Sequence, residues 1–240
     1  GITATMVKHG GVALARHLCA VVNAWWQGGQ SPEQWQNTVV RCIHKGGSRA
    51  DLGNYRPLSI GNIVCKVLDV ICNERVAAWA ESTGALPAQQ VGFRRHHECA
   101  DGIVTAQIVM DECRAGRLSA VLCFVDVRKA YDTVWTDALW YKLSRAGMDP
   151  RAVEAMRASQ RGATAVVLGE ARTDSSEPFP VCRGVPQGRV VSPVAYSLFV
   201  ADAVDAIEHG VPVSPGDRNG PRLGYGAAGE CGVRLAGDCH

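Results

Sequence analysis

The sequence predicts an α+β protein, and three observations carry that prediction. Several stretches repeat apolar residues at helical spacing. Two short β-like runs lie among them, Thr38–Ile43 and residues 164–168. A third run, Ser119-Ala-Val-Leu-Cys-Phe-Val-Asp126, is continuously apolar and closes on a carboxylate, the pattern of a buried strand whose end meets solvent.

In chain order, residues 11–26 place Val12, Leu14, Leu18, Val21, Val22 and Trp25 on one helical repeat that stops near Gly28-Gly29. Ser31-Pro32-Glu33 reads as a cap with Pro at the first helical position. The strand 38–43 runs into a basic, Gly-rich turn at Lys45-Gly46-Gly47. Residues 58–80 are expected to be helical, with Ile60, Ile63, Val64, Val67, Leu68, Ile71 and Val76 on one broad face. Further helices are expected over 98–115, 135–146, 150–160 and 192–208, the last opened by Ser192-Pro193. Residues 209–230, rich in Gly and Pro, are expected to form a loop or loose hairpin.

Composition narrows the class. Apolar residues make up 47% and charged residues 20%, an ordinary globular balance. Every long apolar stretch is interrupted by Arg, Asp, Gln or Gly, so no membrane partner is expected, and no secretory signal is evident. The ten cysteines form no C-x-x-C pair and argue against a zinc ribbon or a disulfide scaffold; reduced, buried thiols in an intracellular protein are expected. His96, His97 and Cys99 cluster, but without a second pair at metal-binding spacing. Charge is uneven. Ten Lys and Arg face six Asp and Glu in residues 1–100, against fifteen facing seventeen in 101–240, and a basic N-terminal part suits a surface that meets phosphates.

Three segments carry chemistry. In Phe124-Val-Asp-Val-Arg-Lys-Ala-Tyr-Asp132, Asp126 at a strand end is a natural ligand for a hard cation, which phosphoryl transfer requires, or equally a cap for the following turn. In Arg183-Gly-Val-Pro-Gln-Gly-Arg-Val-Val-Ser-Pro193, backbone N–H groups beside glycine can meet phosphate and the Gln187 amide can meet a base or sugar; an ordinary strand-to-helix turn has the same outline. Lys45, and Arg56 within Asn54-Tyr-Arg-Pro-Leu-Ser59, could clamp a triphosphate or simply form a solvated basic turn.

Taken in order with Gln90-Val-Gly-Phe-Arg94, these segments resemble the reverse transcriptases of LINE-like, non-LTR retrotransposons. The resemblance covers roughly residues 32 to 208 and implies a right-hand polymerase fold, with a fingers-like region over 1–118 and a partial palm over 119–240. It implies RNA-directed DNA synthesis from dNTPs on a DNA primer and an RNA template, with Mg²⁺ and the rest of an element polyprotein as companions, in nucleus and cytoplasm. By the same resemblance, Asp126 is the first metal-binding aspartate, with the Val127 carbonyl beside it. Tyr131 is the aromatic gate against a ribose 2′-OH, and Gln187 and Gly188 flank the nascent base pair. Arg56, with Lys45, meets the triphosphate, and Phe93 and Arg94 meet the template. Lys129 and Asp132 are expected to form a structural ion pair or a helix cap.

One departure is plain. The family's Ala-Asp-Asp hairpin is absent; Val200-Ala-Asp-Ala203 has a single Asp, and Gly232–Gly237 resembles the stretch that precedes the hairpin. The expectation is therefore a fragment that stops before the second half of its active site and before the thumb, internal to a longer frame and inactive alone. A group II intron enzyme and a decayed, RNA-binding remnant are the neighbouring readings.

Overall fold

The computed structural model describes residues 2–28, 32–119, 126–169 and 174–209. Helices α1 (Ala4–His9), α2 (Gly11–Trp26) and α3 (Glu33–Gln36) lead into strands β1 (Asn37–His44) and β2 (Tyr55–Ile60). Helices α4 (Ile63–Thr83), α5 (Cys99–Ala115), α6 (Ala130–Thr133), α7 (Thr136–Arg145) and α8 (Pro150–Ala158) follow. The described chain closes with β3 (Thr164–Leu168), β4 (Phe179–Pro180) and α9 (Ser192–His209). The fold is mixed α+β with one mixed sheet, in the order β2-β1-β3-β4.

The chain forms two compact units: Gly1–Thr83 with Lys129–Phe199, and Gly84–Arg128 with Val200–His240. In the first, β1 pairs antiparallel with β2, from Val39 opposite Ile60 to His44 opposite Tyr55. It pairs parallel with β3, from Asn37 opposite Thr164 to Arg41 opposite Leu168. The Thr164 hydroxyl donates to Asn37 Oδ1 at 2.8 Å, and Arg41 donates to the Gly169 carbonyl at 3.0 Å, so both ends of this pairing carry a side-chain bond. The core beside the sheet is built from Leu68, Val76 and Ala80 of α4, Leu139 and Leu143 of α7, Val153 and Met156 of α8, and Val194 and Leu198 of α9, all buried. In the second unit, Leu86 and Cys113 are buried, and α5 opens with a capping box between Glu98 and Asp101.

One expected element shifts. The helix foreseen over 58–80 begins instead at Ile63, and Leu58 to Ile60 close β2. Three alternating residues fit a helical face and a strand equally well. Gly61 and Asn62 make the break, and Asn62 Oδ1 accepts from the Val64 amide at 2.8 Å, which caps the helix. Pro57 has no N–H to contribute, which an edge strand tolerates. Pro32 stands one position before α3 rather than within it, and Ser31 lies outside the described residues. Residues 120–125 of the foreseen apolar strand also lie outside them, as do 210–240, which hold nearly all of the foreseen loop and the segment 232–237. Among the described residues no helix is long and apolar enough to cross a membrane.

The thiols only partly match the expectation of burial. Cys65, Cys72 and Cys113 are buried, whereas Cys19, Cys42, Cys99 and Cys182 are exposed; all seven are free. Burial pushes Cys65 and Cys72 from 9.0 up to about 11. Their raised values favour the neutral thiol in the fold. The stability this contributes is complete below pH 9.0 and is lost as pH rises through about 11. Peptide-resolved alkylation of the native protein at pH 8 is expected to label the four exposed cysteines and spare Cys65 and Cys72. Equal labelling of Cys72 and Cys182 under native conditions would contradict the packing around α4.

Candidate nucleotide site

Three segments of the first unit meet at one place: the end of β2, the turn Lys129–Val134, and the loop Arg183–Arg189. The turn starts with Lys129 in the left-handed region, φ 53°, and its carbonyl accepts from the Asp132 and Thr133 amides at 2.9 and 3.1 Å. The loop lies directly on this turn. Gly184 N donates to the Val134 carbonyl and Val185 N to the Tyr131 carbonyl, each at 2.9 Å. Arg183 Nε adds a bond to the Thr133 carbonyl at 3.2 Å.

The glycines make this approach possible. Gly184 has φ +87°, and a Cβ there would stand 2.9 Å from the Tyr131 carbonyl oxygen and 3.0 Å from Asp132 Cα. Gly188 has φ +105°, and its Cβ would stand 2.9 Å from the Ser59 carbonyl oxygen. Both positions exclude a side chain by conformation and by space. On its other side the loop covers the edge of β2, where Ser59 N donates to the Gln187 carbonyl at 2.6 Å. An edge-strand amide that would otherwise stand open is thus satisfied.

The side chains follow from this frame. Gln187 Nε2 donates to Asp132 Oδ1 at 3.0 Å. The Tyr131 ring lies 5.3 Å from the Tyr196 ring of α9, tilted by 38°, and burial followed by the proximity of Tyr196 raises its phenol above the ordinary value. Arg56 is exposed on β2 opposite Ile43. Lys45 is exposed two residues beyond Ile43, where its amide donates to the Asn54 carbonyl at 2.8 Å. Opposed residues share a face, so Lys45 and Arg56 stand on one side of the hairpin. Asn54 and Tyr55 build the turn between them: Asn54 Nδ2 donates to the Ser48 carbonyl and Tyr55 OH to the Arg49 carbonyl, both at 2.9 Å.

Sequence reasoning missed two contacts. The Asp132 carboxylate takes Gln187 rather than the expected ion pair with Lys129, while Lys129 stands at the N-cap of α6, as the cap alternative expected, without a side-chain cap bond. Arg189, given no role in the sequence analysis, forms a buried ion pair with Asp69 of α4. Its Nε donates to Asp69 Oδ2 at 2.7 Å and its Nη2 donates to Oδ1, with side chains only 13% and 6% exposed. Burial opposes the guanidinium charge, but the bonds to Asp69 and its charge outweigh that and hold Arg189 above its ordinary value. A buried Asp inside an apolar helix face was the available signal.

Four expected site residues belong to the second unit. Asp126 and Val127 lie in exposed, irregular chain. Phe93 is 70% exposed with φ 59°, a conformation unusual for an aromatic residue. Arg94 donates to the Pro87 and Gln90 carbonyls at 3.0 and 3.2 Å and so braces the loop that displays Phe93. Among the described residues no three His, Cys, Asp or Glu groups converge to hold a metal. Asp126 can offer one carboxylate to Mg²⁺, and the described residues alone do not complete a metal centre.

Residues 43–215 match the family model for reverse transcriptase, an RNA-dependent DNA polymerase. The chain belongs to the reverse transcriptase family. It is 28% identical over 186 residues to the RNA-directed DNA polymerase from mobile element jockey of Drosophila melanogaster, covering 77% of this chain and 20% of that protein. It is 28% identical over 185 residues to the probable RNA-directed DNA polymerase from transposon X-element of the same fly, covering 71% and 19%. It is 25% identical over 206 residues to the Pol polyprotein from type-1 retrotransposable element R2 of Popillia japonica, covering 82% and 27%. The chain thus spans about a fifth of the length of its first relatives. Within this reverse transcriptase chain, the motif segments 54–59, 90–94 and 183–193 all lie among the described residues.

Removing one member of the Asp69–Arg189 pair leaves a buried charge unpaired, which costs about 3–5 kcal/mol. Asp69→Leu and Arg189→Met are each expected to lower the denaturation midpoint steeply. The double replacement Asp69→Leu with Arg189→Met is expected to cost less than either, because it removes both charges. Additive losses in chemical denaturation would show that the pair is not coupled.

Proposed function

We propose that this chain supplies the nucleotide-binding face of an RNA-directed DNA polymerase of a non-LTR element. The hairpin β1–β2 is read as part of the fingers, and the turn 129–134 with the loop 183–189 as part of the palm. The reaction is attack of a DNA primer 3′-OH on the α-phosphate of a dNTP, templated by RNA, at a centre of the two-metal type to which Asp126 would contribute one carboxylate. Mg²⁺, when bound, would neutralise charge on the phosphates. The single observation that carries the reading is the clamp of the Gln187-Gly188 loop between the Tyr131 turn and the Ser59 edge. It holds the turn that carries Tyr131 and the loop that carries Gln187 against the edge of the hairpin on which Arg56 lies.

Each residue then has a task this geometry supports. Arg56 offers a planar fork to phosphate oxygens and Lys45 a point charge on the same hairpin side. Tyr131, its ring backed by Tyr196, presents bulk where a ribose 2′-OH would stand. Phe93, exposed and held in a strained conformation, offers a face on which a template base can stack. The 240 residues contain no adjacent pair of aspartates. Purified by themselves they are expected to incorporate no dNTP on a primed RNA template, and template-dependent synthesis by them would count against a missing set of carboxylates.

The gate is tested in the complete polymerase. Tyr131→Ala is expected to raise rNTP incorporation relative to dNTP, and Tyr131→Phe to leave the ratio nearly unchanged, because the ring makes the clash. A pocket discriminates small groups by about 1–3 kcal/mol, so the ratio should move by roughly 10–200-fold. Full activity in Tyr131→Ala with the ratio of the unsubstituted enzyme would place the gate elsewhere.

A further inference from the structure

Gln187 can present either end of its amide, because its terminal torsion is broad and roughly two-fold. A nucleotide meeting Gln187 would therefore find a donor or an acceptor unless something chooses between them. The structure contains such a device. Asp132 Oδ1 lies 3.0 Å from Gln187 Nε2. A carboxylate accepts and never donates, so the NH₂ end must face Asp132 and Oε1 must face away.

The contact is built in by the backbone on both sides. Gln187 is held to β2 through its own carbonyl, which accepts from Ser59 N at 2.6 Å. Asp132 is held to the loop through the neighbouring Val185–Tyr131 bond, and Gly184 packs on its backbone with no room for a Cβ. Two residues 55 apart in sequence thus meet at hydrogen-bond distance on a frame that neither side chain makes. Charged groups nearby are otherwise engaged or absent from the contact: Arg183 donates to the Thr133 carbonyl, and Arg189 to Asp69.

We propose that Asp132 is a positioning residue for the incoming nucleotide, acting through Gln187 by holding its amide with Oε1 outward as an acceptor. The group it selects on the nucleotide is a donor, a sugar hydroxyl or a base N–H. This rests on the reading above that Gln187 lies against the nucleotide.

The test uses the complete polymerase with single-nucleotide incorporation, reading dNTP KM and kcat separately, with primer–template Kd and the thermal midpoint as controls. Asp132→Asn is isosteric and lets the amide face either way. It is expected to raise dNTP KM by roughly 10-fold, the worth of one hydrogen bond, with primer–template Kd and midpoint unchanged. Gln187→Glu sets two carboxylates against each other and is expected to do worse. Combining it with Asp132→Asn is expected to recover much of the loss, since the new Asn amide donates to the new carboxylate and an acceptor oxygen again faces outward. Wild-type KM in Asp132→Asn, beside a raised KM in Gln187→Ala, would overturn the role of Asp132 alone. Wild-type KM in Gln187→Ala as well would overturn the placement of Gln187 with it. Equal losses in the Gln187→Glu single and the double variant would also overturn the orientation mechanism.

Discussion

The buried ion pair between Asp69 and Arg189 is the constraint on which the site depends. A guanidinium and a carboxylate removed from water are tolerable only together, so the middle of α4 and the loop before α9 must occupy one relative position. That position brings Gln187 onto the edge of β2 and Gly184 onto the Tyr131 turn. The loop has few apolar anchors of its own beyond Val185 and Val191, so a directional contact does the registering that packing alone would leave loose. Cys65 and Cys72, on the same helix, share this low-polarity surrounding, which is why their thiols resist ionisation.

The residues read as meeting the nucleotide are arranged chiefly by main-chain contacts. Two glycines with positive φ allow backbone to lie against backbone on both faces of the loop. The side chains then need little freedom: Gln187 is held by Asp132, and Tyr131 by Tyr196. Preorganisation of this kind favours catalysis, because groups that are already oriented lose less entropy when substrate arrives. The basic hairpin differs. Lys45 and Arg56 stay exposed beside a turn braced by Asn54 and Tyr55, so both long cations keep their reach into solvent.

Much of the helical framework was legible in the residues. Helices expected over 11–26, 98–115, 135–146, 150–160 and 192–208 correspond to α2, α5, α7, α8 and α9, and in α2 the apolar residues recur at helical spacing. β3 was legible as a short apolar run between breaks. The start of α4 was not, since Leu58 to Ile60 satisfy both periods and only pairing with β1 decides between them. The exposure of Cys42 and Cys182 was equally hidden, because a thiol's hydrophobicity does not say which side of an element it takes.

By itself the sequence determined the family and the candidate residues Lys45, Arg56, Asp126, Tyr131 and Gln187, because chemistry-bearing residue types recur there in a specific order and spacing. Tertiary structure alone decided their partners. Asp132 could have met Lys129 three residues away, yet it meets Gln187 across 55 residues, and Arg189 meets Asp69 across 120. Local spacing governs which side chains share a face, whereas such distant pairs depend on how the turn, the loop and the helix are brought together. Gly184 and Gly188 leave the room for that approach, but the packing that completes it is summed over several segments and no single one encodes it.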